Sequence, residues 1–142
     1  MATVMEPRAT VWTGLDPEQL AGTPMHQAFL ILRTAFTLAP IIAGLDKFFN
    51  RLVDWSQYLA PAAAQLLPFD RHTTMQAVGV IEIIAGLVVA FAPRVGGYLV
   101  AVWLAGIIVN LLLLPGYFDV ALRDFGLLLG ALALARLSEA FR

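Results

Sequence analysis

MQAVGVIEIIAGLVVAFAPRVGGYLVAVWLAGIIVNLLLLPGYF, residues 75–118, decides the fold. It holds two apolar runs, each approaching the ~20 residues that a helix needs to cross ~30 Å of hydrocarbon. APRVGG at 92–97 parts them and PGYFD at 115–119 follows them. Proline and glycine end one helix and start the next, with Gly96-Gly97 read as a tight turn, so the stretch is a membrane hairpin. Working outward, one more apolar segment precedes it and one follows. The expected spans are 26–48, 73–92, 96–115 and 119–138, within a transmembrane domain of residues 26–142. Short connections force neighbours to alternate in direction, so the expected fold is all-α, an integral membrane antiparallel four-helix bundle.

Composition agrees. Of 142 residues, 60% are hydrophobic and 13% charged, with a mean hydropathy of +0.80. Nine basic and ten acidic side chains leave a net charge of -1, so there is no basic surface for nucleic acid. Cysteine is absent, which excludes disulfides, thiol–quinone chemistry, Fe–S ligation and a thiol nucleophile. Residues 1–25 read as a polar N-terminal arm without the basic-apolar-small order of a secretory signal, so the first span is expected to stay as an anchor. In the loop 49–72, VDWSQYLAPAAAQLLPF carries Trp55, Tyr58 and Phe69 and suits a short interfacial segment.

Gly126 and Gly130 form GxxxG in the last span and are the expected helix-packing pair; Ala35/Ala39, Gly86/Ala90 and Ala101/Ala105 repeat the small-residue spacing. Pro40 is expected to kink the first span. With the N-terminus inside, Arg8, Arg33, Arg94, Arg136 and Arg142 lie inside against Lys47, Arg51, Arg71 and Arg123 outside, which favours cytoplasmic termini by a narrow margin.

An ionisable residue inside a span costs at least ~2.5–3.5 kcal/mol on insertion scales, so each is a site candidate until it finds a partner. Antiparallel geometry places Lys47, Glu82, Asn110, Arg123 and Asp124 in one half of the bilayer as a polar cluster that could contact a ligand or a quinone. Glu82 lies roughly 12–14 Å below its helix start and requires Lys47, Arg123 or a proton. Its alternatives are a structural ion pair and a ligand or proton-relay role. Arg33 belongs to the other half, where lipid phosphate is the expected partner, with Glu139 or backbone carbonyls near Pro40 as alternatives. His26 and His72 open different spans on opposite faces and cannot share a b-type haem. No residues have metal-ligand or catalytic-triad spacing.

LRTAFTLAPIIAGLDKFF (32–49), GVIEIIAGLVVAFAPR (79–94) and LRDFGLLLGALAL (122–134), in this order and spacing, resemble the DoxX family of small four-span bacterial membrane proteins. The resemblance covers about residues 28–137 and matches the family pattern at Arg33, Lys47, Glu82 and Asp124. It implies a multi-pass protein of the bacterial cytoplasmic (inner) membrane linked to redox metabolism. Some relatives are the membrane subunit of a thiosulfate:quinone oxidoreductase, and others go with thiol-oxidant or superoxide defence. The arm is outside the usual pattern and could dock on a partner protein.

The function expected first is therefore an accessory, non-catalytic membrane subunit of a larger respiratory or photosynthetic redox complex, with other membrane subunits and lipids as partners. The alternative is a quinone-associated oxidoreductase subunit whose electrons come from a partner chain. A small-molecule transporter ranks third, since four spans without internal repeats are few for a carrier. Quinone is the one cofactor expected, bound non-covalently.

Overall fold

The computed structural model describes residues 22–141, so the arm expected at 1–25 lies outside the described residues except for its last four positions. The described chain is all-helical: α1 (Pro24–Phe49), α2 (Pro61–Gln65), α3 (Arg71–Phe91), α4 (Pro93–Leu112) and α5 (Phe118–Leu137), with 3-10 turns at Trp55–Tyr58 and Ser138–Ala140. Three helices, α1, α3 and α4, are long and apolar enough to cross a membrane. The fourth long helix, α5, is equally long as α4 but carries Asp119, Arg123, Asp124 and Arg136. Of these Asp119, Arg123 and Arg136 are exposed, beside apolar side chains that also face outward on all four long helices: Ile31, Phe91, Val102 and Leu122 are 68–84% exposed. A surface this apolar is suited to lipid and not to water.

The helix ends follow from local chemistry. Thr23 caps α1 by accepting from the His26 N–H at 3.2 Å, with Pro24 behind it where a missing N–H costs nothing. Asn50, at φ 51°, closes α1 in the left-handed region, and α1 runs unbroken through Pro40. Asp70 caps α3 by accepting from the Thr73 N–H at 2.7 Å. The connection expected at 92–97 is shorter than its sequence suggested. Ala92 alone separates α3 from α4, Pro93 opens α4, and Gly96-Gly97 lie inside that helix and not in a turn. A Cβ on Gly96 would stand 2.5 Å from Val89 Cα, and one on Gly97 2.9 Å from the Ala131 carbonyl, so these glycines serve packing.

Packing is uneven. α1 lies closely on α3, and α4 on α5. α1 and α3 run in opposite directions, because Arg33, Ile41 and Gly44 meet Ala90, Gly86 and Gly79 in reverse order. A Cβ on Gly44 would sit 2.5 Å from the Gly79 carbonyl, and one on Gly86 2.7 Å from that of Thr37, so glycine lets the two backbones touch. Phe29, Phe36, Val89, Val100, Leu104 and Leu134 form the core of the opposite half from the polar residues, and Phe141 stacks on Phe29 at 4.8 Å.

The expected packing role of GxxxG is only half present. Gly130 faces the Phe36 ring, 3.2 Å from where its Cβ would be. Gly126 has nothing within 4 Å and forms no helix contact. The reason is that α5 touches α1 sparsely, and the gap between them is a cavity.

Candidate functional site

The site is a cavity of about 900 Å³ enclosed by α1, α3, α4 and α5 and roofed by the loop after α1. That volume is in the range of natural ligand pockets. Aliphatic and aromatic side chains make most of its wall, among them Leu32, Phe36, Met75, Trp103, Leu104 and Ile107. Ala35 and Ala39 on α1 and Gly126 and Leu127 on α5 line it and are exposed, so it opens sideways between these two helices.

All five residues of the expected polar cluster line this cavity, but they form three separate groups. Lys47 Nζ donates to Glu82 Oε2 at 2.7 Å, with side chains only 5% and 10% exposed. Of the partners open to Glu82, the structure selects Lys47. The two meet because the glycine contact beside them lets α1 approach α3: Lys47 Cβ lies 3.2 Å from where a Gly79 Cβ would be. Lys47 Nζ also stands 3.9 Å over the Trp55 ring, a cation–π contact.

Asn110 does not join that pair. Its Oδ1 accepts from the Ala60 N–H at 2.9 Å and its Nδ2 donates to the Tyr58 carbonyl, so both ends of the amide hold the roof. Arg123 and Asp124 form the third group, with Arg123 Nε 3.6 Å from Asp124 Oδ1. Arg123 is largely exposed, whereas Asp124 is buried at 6% exposure.

Arg33 lies apart from the cavity residues and reaches the end of α3. Its guanidinium donates to the Ala90 carbonyl and lies 5.9 Å over the Phe29 ring. Ala90 is in the last turn of α3, where carbonyls lack an intrahelical donor, and the reverse alignment of α1 brings Arg33 beside it. Glu139, the other acid open to Arg33, pairs with Arg94 at 2.8 Å. His26 lies against Phe141 and His72 beside Gln76, each at the start of its own helix.

Asp46, Trp55 and Tyr58 were not singled out for the site, yet they build its roof. Asp46 accepts from the Arg51 and Leu52 N–H groups at 3.0 Å each and from Trp55 Nε1 at 2.7 Å. Arg71 Nη1 donates to the Leu59 carbonyl at 2.6 Å, and Tyr58 meets Tyr117 edge-on at 4.9 Å. One signal was available in the sequence. An acid in the last turn of a helix opposes the macrodipole, so Asp46 needs other donors, and a chain turning back supplies them. At the outer rim, Ser56 holds the Asp54 carboxyl below its ordinary value through its hydroxyl and N–H, and Thr73 does the same for Asp70. Among the described residues, two buried side-chain polar atoms lack a hydrogen bond, Thr74 Oγ1 and Trp103 Nε1.

The arrangement can hold an elongated apolar molecule with its polar end beside Lys47, Glu82 and Asp124. No family model matches the chain, and neither a characterised protein nor a solved structure shows significant similarity to it.

Proposed function

We propose that this chain is a four-span antiparallel subunit of the bacterial cytoplasmic membrane, termini inside, that holds a quinone for a redox complex. The cavity carries this reading. It is apolar, opens sideways at the level of the spans, and has a buried ion pair and a second carboxylate in its wall. A ligand entering from lipid needs such a lateral door, and an accessory subunit with no ligand needs none. The resemblance to DoxX proteins points the same way. The electrons come from a partner chain, since this one has no cysteine and its histidines open different helices.

The test is the content of the protein purified from native membranes in a mild detergent. Organic extraction and mass spectrometry are expected to find quinone at near one equivalent, falling at least ~10-fold in Glu82→Gln, which leaves Lys47 without its charged partner. Quinone-free protein that migrates with a large assembly would return the chain to the accessory role.

A further inference from the structure

We infer that the bound quinone carries its head group to the middle of the spans, on a level with Glu82, where the Trp103 indole N–H donates a hydrogen bond to one of its ring oxygens. This rests on the reading of the cavity as a quinone site and adds to it the depth of the head group and a residue that holds it.

Two observations meet at Trp103. First, of the two buried side-chain polar atoms without a hydrogen bond among the described residues, Thr74 Oγ1 and Trp103 Nε1, only Trp103 Nε1 belongs to a residue that lines the cavity. An indole nitrogen is a donor and nothing else, so what it lacks is an acceptor. A buried donor left unpaired is costly, and tryptophan in membrane helices ordinarily avoids that cost at the interface, with its ring in lipid and its N–H in water. Trp103 has no such outlet. It lies ten residues after Pro93 and nine before Leu112, halfway along α4, where the helix uses its own carbonyls and lipid tails offer no oxygen. An occupant that brings an oxygen to this depth recovers the cost.

Second, the helix register brings Trp103 to the level of the polar pair. α3 and α4 reverse direction across Ala92, and Gly96 packs on Val89. Seven residues, or about 10 Å, onward from Gly96 is Trp103, and the same step back from Val89 is Glu82. The two therefore stand at one level on α4 and α3, both in the cavity wall, with Lys47 of α1 on Glu82. The Lys47 ammonium has three N–H groups and, among the described residues, gives one hydrogen bond, to Glu82. A ring with oxygens on opposite edges suits a level that has donors on two walls. A phospholipid keeps its phosphate and ester oxygens at the interface, so its tails would leave the indole unpaired. A quinone head group is uncharged and can enter hydrocarbon, with its tail leaving through the gap at Ala35, Ala39, Gly126 and Leu127.

The full chain, labelled with nitrogen-15 tryptophan and reconstituted in phospholipid nanodiscs, gives an indole N–H signal for each of its three tryptophans, Trp12, Trp55 and Trp103. The Trp103 signal is the one lost in Trp103→Phe. Titration with decylubiquinone is expected to move it downfield, as a new hydrogen bond does. Retention of the same quinone, counted by mass spectrometry against empty nanodiscs, is expected to fall about fivefold in Trp103→Phe. It should fall equally when Trp103 carries a benzothiophene ring in place of indole, which keeps the shape and lacks the N–H. Loss in Trp103→Phe alone marks packing, and equal retention by all forms with an unmoved signal marks a head group elsewhere. Either result overturns the role of Trp103 and leaves the quinone reading standing. A Trp103 signal already downfield without quinone and unmoved by it assigns the acceptor to phospholipid or protein, with the same consequence. No retention by the unaltered chain overturns both readings. Should Trp103→Phe fail to fold, the benzothiophene form carries the retention test, and Trp12→Phe and Trp55→Phe identify the Trp103 signal by elimination.

Discussion

The α1–α3 seam and the α1–α5 seam of the same bundle use small residues to opposite ends. On the first, Gly44, Gly79 and Gly86 let backbone touch backbone, and the closeness puts Lys47 on Glu82. On the second, Gly126 faces open space and Gly130 meets one aromatic ring, with Ala35 and Ala39 exposed opposite them. Small side chains permit close approach but do not compel it. Where a partner helix arrives they make a seam, and where it stands away they widen a cavity. The firm seam and the open door are therefore complementary parts of one design, in which α3 anchors the polar pair and α5 supplies the gap.

Breaking the firm seam should give the largest effect. Lys47→Met strands Glu82 in a buried site and is expected to cost about 3–5 kcal/mol, read as a lowered unfolding temperature in detergent. A loss below about 1 kcal/mol would show that the pair is solvated and the seam loose. Gly44→Val comes next. Its side chain would collide with the Gly79 carbonyl and Ile83, at about 1–3 kcal/mol, seen as a smaller folded fraction by size exclusion. Gly126→Ala sharpens the contrast from the other side. With nothing within 4 Å, it should leave stability unchanged or raise it by up to about 1 kcal/mol, since alanine favours helix. Equal damage from Gly44→Val and Gly126→Ala would mean that α5 closes on α1.

The smallest effect is one of pH at the cap of α3. Asp70 is held below its ordinary value by Thr73, so its contribution is fully present above that ordinary value. It is lost as pH falls through the lowered one. Unfolding followed between about pH 5 and pH 2 should show a decline that Asp70→Asn, which keeps a cap, makes shallower. A slope identical in the two proteins would remove Asp70 from the account.

Much of the helix plan was legible, because apolar length and proline–glycine breaks act locally. The segments expected at 26–48, 73–92, 96–115 and 119–138 fall within a few residues of the helices α1, α3, α4 and α5, of which the first three are long and apolar enough to cross a membrane. The error at Gly96-Gly97 is instructive. Paired glycines after proline read as a turn, but close packing on Val89 and Ala131 supplies the stability that their flexibility withholds from a helix. The site was legible in membership more than in wiring. Depth alone grouped Lys47, Glu82, Asn110, Arg123 and Asp124, because each residue advances a helix by a fixed rise. Depth could not say that Asn110 would serve the roof or that Arg33 would cap α3, since those depend on rotation about each helix axis and on where the loop returns.

The sequence by itself determined that the chain is helical and suited to lipid, and which few polar residues it carries into the spans. Those properties follow from composition and from the local rule that every backbone group must be satisfied within a helix. Only the tertiary structure decided that Glu82 takes Lys47 and not Arg123, that Gly126 lines a cavity and not a contact, and that Asp124 lines that cavity beside Arg123. These outcomes depend on how far apart helices settle, and that distance is set by the summed packing of all their faces and not by any one residue pattern.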